Sequence, residues 1–187
     1  MRSIAAAEKF RTDGILKYKT GGRALEIGPW RGVICSNMKD AGFAVTAIEM
    51  DANCVRFLRD QLGVEAIQST DPAAAMQNLK PGFDVIIAWH SLEHLPHPWL
   101  VIERAAQLLA PGGILLPALP NPDSFEFSVV KARWMHLDAP HHLHLLPIAS
   151  LVQICEKHNL RLQEVTTNDR FSKNMSFHAW RVYTRCR

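Results

Sequence analysis

A chain of 187 residues, 48% hydrophobic and 21% charged, has enough apolar surface for one domain with its own core and too much for a disordered chain. Its 10 glycines and 11 prolines are ordinary levels, which excludes collagen-like and low-complexity architectures, and no run of about 18 uninterrupted apolar residues suggests a membrane span. The net charge of +3 is concentrated in residues 168–187, where Arg170, Lys173, Arg181, Arg185 and Arg187 face Asp169 alone. The remaining chain is close to neutral and lacks the basic face of a nucleic-acid binder.

The opening MRSIAAAEKFRTD has no apolar h-region and carries Glu8 and Asp13, unlike a secretory or organellar leader. Cys35, Cys54, Cys155 and Cys186 are scattered with no CxxC pair, so neither a zinc ribbon nor a disulfide framework is indicated. A reduced, cytoplasmic protein is expected.

Residues 3–19 read as a polar, weakly amphipathic helix stopped by Gly21-Gly22. Residues 24–28 (ALEIG) form a short apolar run ending at glycine, the pattern of a buried strand. A helix over 32–41, a strand over 43–49, a helix over 52–62, a strand over 64–68 and a helix over 72–79 follow. Gly42, Gly63 and Pro81-Gly82 punctuate them. Residues 83–89 (FDVIIAW) are apolar on both faces, as in a parallel strand covered by helices on each side. A helix over 98–109, Pro111-Gly112-Gly113 and a strand over 114–119 continue the alternation.

The rhythm breaks at Pro120, and residues 120–146 carry His136, His141, His142 and His144 without a helical or strand period. A helix over 148–158 and a strand over 161–167 come next, and 177–184 suit an edge strand. The alternation predicts a single α/β domain over 1–187: a Rossmann-like, doubly wound, mostly parallel sheet of six or seven strands flanked by helices. It has an N-terminal helix (1–23), an insertion (120–146) and a basic, solvated tail (168–187).

Ligands in such sheets bind outside the carboxyl ends of the strands, which directs attention to the residues after each strand. The first is followed by Glu26-Ile27-Gly28-Pro29-Trp30-Arg31-Gly32. The dinucleotide fingerprint needs glycine at offsets 0, 2 and 5, where this chain has Gly28, Trp30 and Val33, a poor nicotinamide or flavin site. Glu49 closes the second strand about 20 residues beyond Gly28, a position from which a carboxylate can accept both hydroxyls of a ribose.

The fourth strand runs into Trp89-His90-Ser91-Leu92-Glu93-His94-Leu95-Pro96. Leu109-Ala110-Pro111-Gly112-Gly113, Pro120-Asn121, Trp134, Asp138-Ala139-Pro140-His141-His142 and Ser150-Leu151 follow in order. Over residues 24–165 this ensemble resembles the class I S-adenosylmethionine-dependent methyltransferases, in particular the small-molecule type with H-x-x-E-H after strand four. The resemblance implies S-adenosylmethionine as cofactor and a small-molecule acceptor. By it, Glu26, Gly28 and Gly32 belong to the loop beside the methionine part of the cofactor, Glu49 to the ribose, and Met50 to the adenine. Ser69 and Thr70 belong to the adenine edge, and Trp89 and His90 to the floor under the sulfonium. Trp30 departs from the pattern, which has glycine there, so its indole could point away from the pocket, cap it or obstruct it.

Residues 120–146 border the acceptor pocket in this reading, and His142 or His90 could take a proton from a hydroxyl acceptor. His142 and His144 alternate, so in an extended segment both point the same way. Trp134 suits a hydrophobic anchor of this segment. Two other readings compete. One is a non-catalytic interaction module with a degenerate pocket, motivated by Trp30. The other is a zinc hydrolase using His90, Glu93 and His94, with a third ligand from His141, His142 or His144. Pro96 and Pro98 leave too little helix for that motif, and no metal ligand is assigned.

Overall fold

The computed structural model describes residues 9–167 and 179–186. The first turns of the expected N-terminal helix, Arg170, Lys173, His178 and Arg187 lie outside that range. Seven strands, β1 (Gly22–Ile27), β2 (Phe43–Glu49), β3 (Glu65–Gln68), β4 (Phe83–Trp89), β5 (Leu109–Pro120), β6 (Leu160–Thr166) and β7 (Ala179–Cys186), form one sheet. Their order is β3-β2-β1-β4-β5-β7-β6. The helices are α1 (Phe10–Leu16), α2 (Val33–Asp40), α3 (Ala52–Leu62), α4 (Pro72–Met76), α5 (Pro98–Leu108), α6 (Phe125–Val130) and α7 (Ile148–Lys157).

The period of two in the apolar runs explains the layers. In β4, Val85, Ile87 and Trp89 join one core with Ile15 of α1, Ile34 and Met38 of α2, and Val55 and Leu58 of α3. Ile86 and Ala88 join the other, with Met76 of α4, Ile102 and Ala105 of α5, and Leu151 of α7. Burying both faces is what a parallel strand with helical crossovers requires. Local chemistry sets the helix ends. Asp51 accepts from the Asn53 and Cys54 N–H groups at the start of α3 (2.7 and 2.9 Å), and Gly63 ends that helix in the left-handed region. Asp71 does the same for α4 before Pro72.

β1 pairs in parallel with β2 and β4, and β4 with β5, so the strand order reverses direction at β1. The crevice therefore opens over the carboxyl ends of β1 and β4. Expected boundaries shift modestly: the helix expected over 72–79 stops at Met76, and β5 already begins at Leu109. Residues 120–146, expected to be irregular, contain α6 and two 3-10 turns.

The larger correction is at the C-terminus. Residues 179–186 are neither an edge strand nor part of a solvated tail. They form β7, paired antiparallel with β5 on one side and β6 on the other. Thr184 is fully buried there, its hydroxyl reaching the Leu115 carbonyl at 3.5 Å. The reason is that β5 has a free hydrogen-bonding edge and only a returning strand can satisfy it.

Candidate active site

The β1–α2 loop is shaped by backbone conformation. Gly28 (φ 69°) and Gly32 (φ 68°) flank Trp30, which is itself left-handed at φ 48°. A Cβ on Gly28 would lie 2.9 Å from the Ser91 Cβ, so this glycine lets the loop after β1 touch the loop after β4. A Cβ on Gly32 would meet Leu58 Cδ2 and Leu62 Cδ1. Gly32 thus serves the packing of the loop on α3.

Glu49 ends β2 almost wholly buried, with its carboxylate in a set of backbone amides. Trp30 N–H donates to Oε2 (2.9 Å), and Met50 and Asp51 N–H donate to Oε1 (2.8 and 3.0 Å). A carboxylate oxygen offers about two acceptor sites, so Oε1 is saturated and Oε2 keeps one. The indole of Trp30 is not packed into the loop: it is 65% exposed, with the Arg31 guanidinium 4.9 Å from its ring centre. The residue's contribution to the loop is its N–H, and an N–H needs no particular side chain.

Beneath the loop, Glu26 is 3% exposed and accepts a hydrogen bond from the Cys35 thiol at 2.8 Å. Burial pushes its carboxyl up to about 7, against the opposing pull of the Cys35 hydrogen bond and the Arg11 charge. Arg11 also stands over the Trp89 ring at 5.3 Å. It was missed as a site residue because only the folding back of α1 brings it there, and no local signal marks it.

Met50 is exposed beside this loop. Ser69 N–H donates to the Glu49 carbonyl (3.0 Å), while the Ser69 hydroxyl is engaged in the turn with Asp71. Thr70, in the same turn, is exposed.

On the other side of the crevice, His90 continues from buried Trp89 with φ 47°. Non-glycine residues in the left-handed region are uncommon and cost about 1–3 kcal/mol each, and both Trp30 and His90 hold that conformation at the crevice. His90 Nδ1 lies 3.2 Å from Glu93 Oε1. A carboxylate only accepts, so Nδ1 carries the proton and Nε2 is the free nitrogen. Residues 92–94 make a single 3-10 turn, not the helix that a zinc-hydrolase motif needs.

The segment from 134 to 144 closes over this turn. Leu143 and His144 N–H donate to the Glu93 carbonyl (2.8 and 3.2 Å). Trp134 is 2% exposed and packs on Phe127 and His136, the anchor expected of it. His142 lies edge-on to His94 with ring centres 4.7 Å apart, and His144 edge-on to Trp99 at 5.7 Å. Both rings of the alternating pair thus turn toward the segment following β4. Buried His136 is held down to about 4, chiefly by desolvation and then by His90 and His142. Among the described residues, Glu93, His94 and His142 each place a ligand atom within 4.8 Å of the others. His90, named with Glu93 and His94 in the zinc reading, is not part of that group.

The family model of the methyltransferase domain matches residues 5–165. The chain belongs to this methyltransferase family. Ubiquinone biosynthesis O-methyltransferases of Xanthomonas euvesicatoria pv. vesicatoria and Xanthomonas campestris pv. campestris are each 30% identical to it over 174 residues, covering 86% of this chain and 69% of theirs. An S-adenosylmethionine-dependent methyltransferase from Archaeoglobus fulgidus shares the fold with a TM-score of 0.74 at 16% identity, over 97% of this chain and 94% of that one. Magnesium protoporphyrin IX methyltransferase from Synechocystis PCC 6803, solved with bound SAH, gives 0.67 at 16% identity over 100% and 81%.

This methyltransferase is of the class I, S-adenosylmethionine-dependent type. The residues present fit the cofactor: Gly28 brings the loop after β1 against Ser91 of the loop after β4, and Glu49 is a fixed acid at the end of β2 with one acceptor site left. Gly28, Glu49 and His90 lie at or just beyond the carboxyl ends of β1, β2 and β4, with Glu26 and Trp89 buried at the same strand ends; Ser69 is joined by its N–H to the Glu49 carbonyl, and Gly32 packs on α3. No helix among the described residues is long and apolar enough to cross a membrane.

Proposed function

We propose that this methyltransferase methylates a hydroxyl oxygen of a small molecule, with the cofactor on the β1–β2 side and the acceptor under residues 134–144. The observation that carries the reading is Glu49: a buried carboxylate, fixed by three amides, with one acceptor site left on Oε2 for a ribose hydroxyl. The relatives named as O-methyltransferases support oxygen as the atom modified.

When bound, S-adenosylmethionine supplies a methyl group already activated on sulfur. The chain's own task is alignment in a water-poor crevice, together with removal of the acceptor's proton. Trp89 forms the floor. His90 is the better base of the two histidines singled out: Glu93 orients its ring through Nδ1 and stabilises the imidazolium formed when Nε2 takes the hydroxyl proton. His142 instead uses Nδ1 on the His136 carbonyl at 2.8 Å and has no carboxylate behind that nitrogen. The exposed position of the Trp30 indole removes the motive for reading the domain as a non-catalytic interaction module. Among the described residues no disulfide joins Cys35, Cys54, Cys155 or Cys186.

The test is transfer of labelled methyl from S-adenosylmethionine to a panel of phenols, catechols and aliphatic alcohols, with calorimetric titration by the cofactor and by SAH. Methylated phenolic or catecholic product is expected. Binding of neither cofactor form at millimolar concentration would overturn the reading.

A further inference from the structure

We propose that Glu93, His94 and His142 form a divalent transition-metal site of the zinc or ferrous class on the acceptor side of the crevice. Two segments distant in sequence build it. Glu93 and His94 come from the 3-10 turn after β4. His142 comes from the stretch that the Leu143 and His144 amides clamp onto the Glu93 carbonyl. The three residues bring their ligand atoms within 4.8 Å of one another.

The protonation pattern is the decisive feature. His94 Nδ1 lies 3.0 Å from the His141 carbonyl, and His142 Nδ1 lies 2.8 Å from the His136 carbonyl. A carbonyl only accepts, so both rings carry hydrogen on Nδ1, and each neutral ring presents Nε2 as a lone pair. Backbone carbonyls holding the second nitrogen are the usual supports of metal-bound histidines.

Glu93 is fully buried. Its Oε1 is shared with His90, while its Oε2 has no hydrogen-bond partner. Leaving a buried acceptor unpaired costs about 1–3 kcal/mol, and more when it is charged. Neutral imidazoles of this tautomer cannot relieve it, because they offer lone pairs rather than protons. A cation among the three groups satisfies all of them at once.

The N, N, O ligand set suits zinc or ferrous iron, and three protein ligands leave coordination positions open. Glu93 is buried, His142 half-buried and His94 exposed, which gives an ion a path from solvent. Resting on the acceptor reading above, an open position would receive the acceptor oxygen and lower its pKa before His90 takes the proton.

The experiment titrates cofactor-free protein with Co2+, read by visible absorption, and with Zn2+, read by calorimetry. Wild type, His94→Ala and His142→Ala are compared, and each is also titrated with SAH. One metal per chain at micromolar concentration is expected, with tetrahedral or five-coordinate Co2+ bands. Each substitution should weaken metal binding by about 100-fold while leaving SAH affinity unchanged. No metal uptake at millimolar Co2+ and Zn2+, or uptake indifferent to both substitutions, overturns the site. SAH binding without metal binding refutes this proposal alone, and metal binding without SAH binding refutes the cofactor reading alone.

Discussion

The two walls of the crevice are built on different physics. On the β1–β2 side the polar groups that matter are backbone amides: three N–H groups fix Glu49, and the Trp30 indole is largely exposed. On the β4–insertion side they are imidazoles and one carboxylate, with His90, His94, His136 and His142 arranged around Glu93. The amides themselves keep a fixed charge distribution at every pH and tolerate changes of side chain. A wall of imidazoles acts through ring nitrogens that can hold or release a proton, and each depends on its own side chain. The first suits a constant cofactor and the second an acceptor whose proton must move.

The sharpest way to break this contrast is to remove the base. His90→Gln should lower the turnover of a hydroxyl acceptor by about 100-fold or more, since a positioned general base contributes typically 10²–10⁴-fold. SAH affinity should stay within about three-fold, because the base acts on the acceptor and not on the cofactor. A mutant with normal turnover would place the base elsewhere.

Next in size is Glu49→Ala, which removes the carboxylate that the three amides fix. Hydrogen bonds to charged groups are worth about 1.5–3 kcal/mol, so affinity for S-adenosylmethionine and SAH should both fall about 10- to 100-fold by calorimetry. Glu49→Gln should fall less, because its carbonyl oxygen still accepts. Unchanged affinity in Glu49→Ala would mean that the ribose binds elsewhere.

A smaller effect exposes one titrating group from each wall. Glu26 is pushed up to about 7 in the fold from an ordinary value of 4.5, so its contribution to stability is full below pH 4.5 and is lost as pH rises toward 7. His136 is held down to about 4 from 6.5, so its contribution is full above pH 6.5 and is lost as pH falls toward 4. Between about pH 4.5 and 6.5 the two slopes oppose each other, each limited to about 1.4 kcal/mol per pH unit. Glu26→Gln keeps an acceptor for the Cys35 thiol but removes one slope. Its melting temperature relative to wild type should therefore rise with pH across that window, by several degrees. Parallel curves would show that the carboxyl of Glu26 titrates normally.

The amide wall was largely legible in the sequence, because short-range features determine it. Apolar runs ending at Gly28 and at Glu49 mark where strands stop, and a parallel sheet places those stops side by side. FDVIIAW could be read as a two-faced strand from its lack of alternation alone. The other wall depends on distant partners. Nothing near Glu93 announces that residues 142–144 will clamp onto it, and the polar helix α1 gives no sign that Arg11 will reach Trp89. The same limit explains β7. Pairing between residues 114–120 and 179–185 is antiparallel and long-range, so position at the chain end suggested an edge where the fold makes an interior strand.

Trp30 joins the two lessons and carries the smallest predicted effect. Its departure from glycine reads in the sequence as a threat to the pocket, because sequence reports the side chain. The fold, however, uses the N–H of this residue, which glycine would supply equally well. Trp30→Gly should therefore leave cofactor affinity within about three-fold of wild type. It should relieve the left-handed φ of 48° at the cost of a more flexible unfolded chain, so the net stability change is within about 1 kcal/mol. A ten-fold gain in affinity would mean that the indole swings inward over the crevice. A ten-fold loss would mean that the indole itself closes over the bound cofactor, making this wall depend on side chains after all.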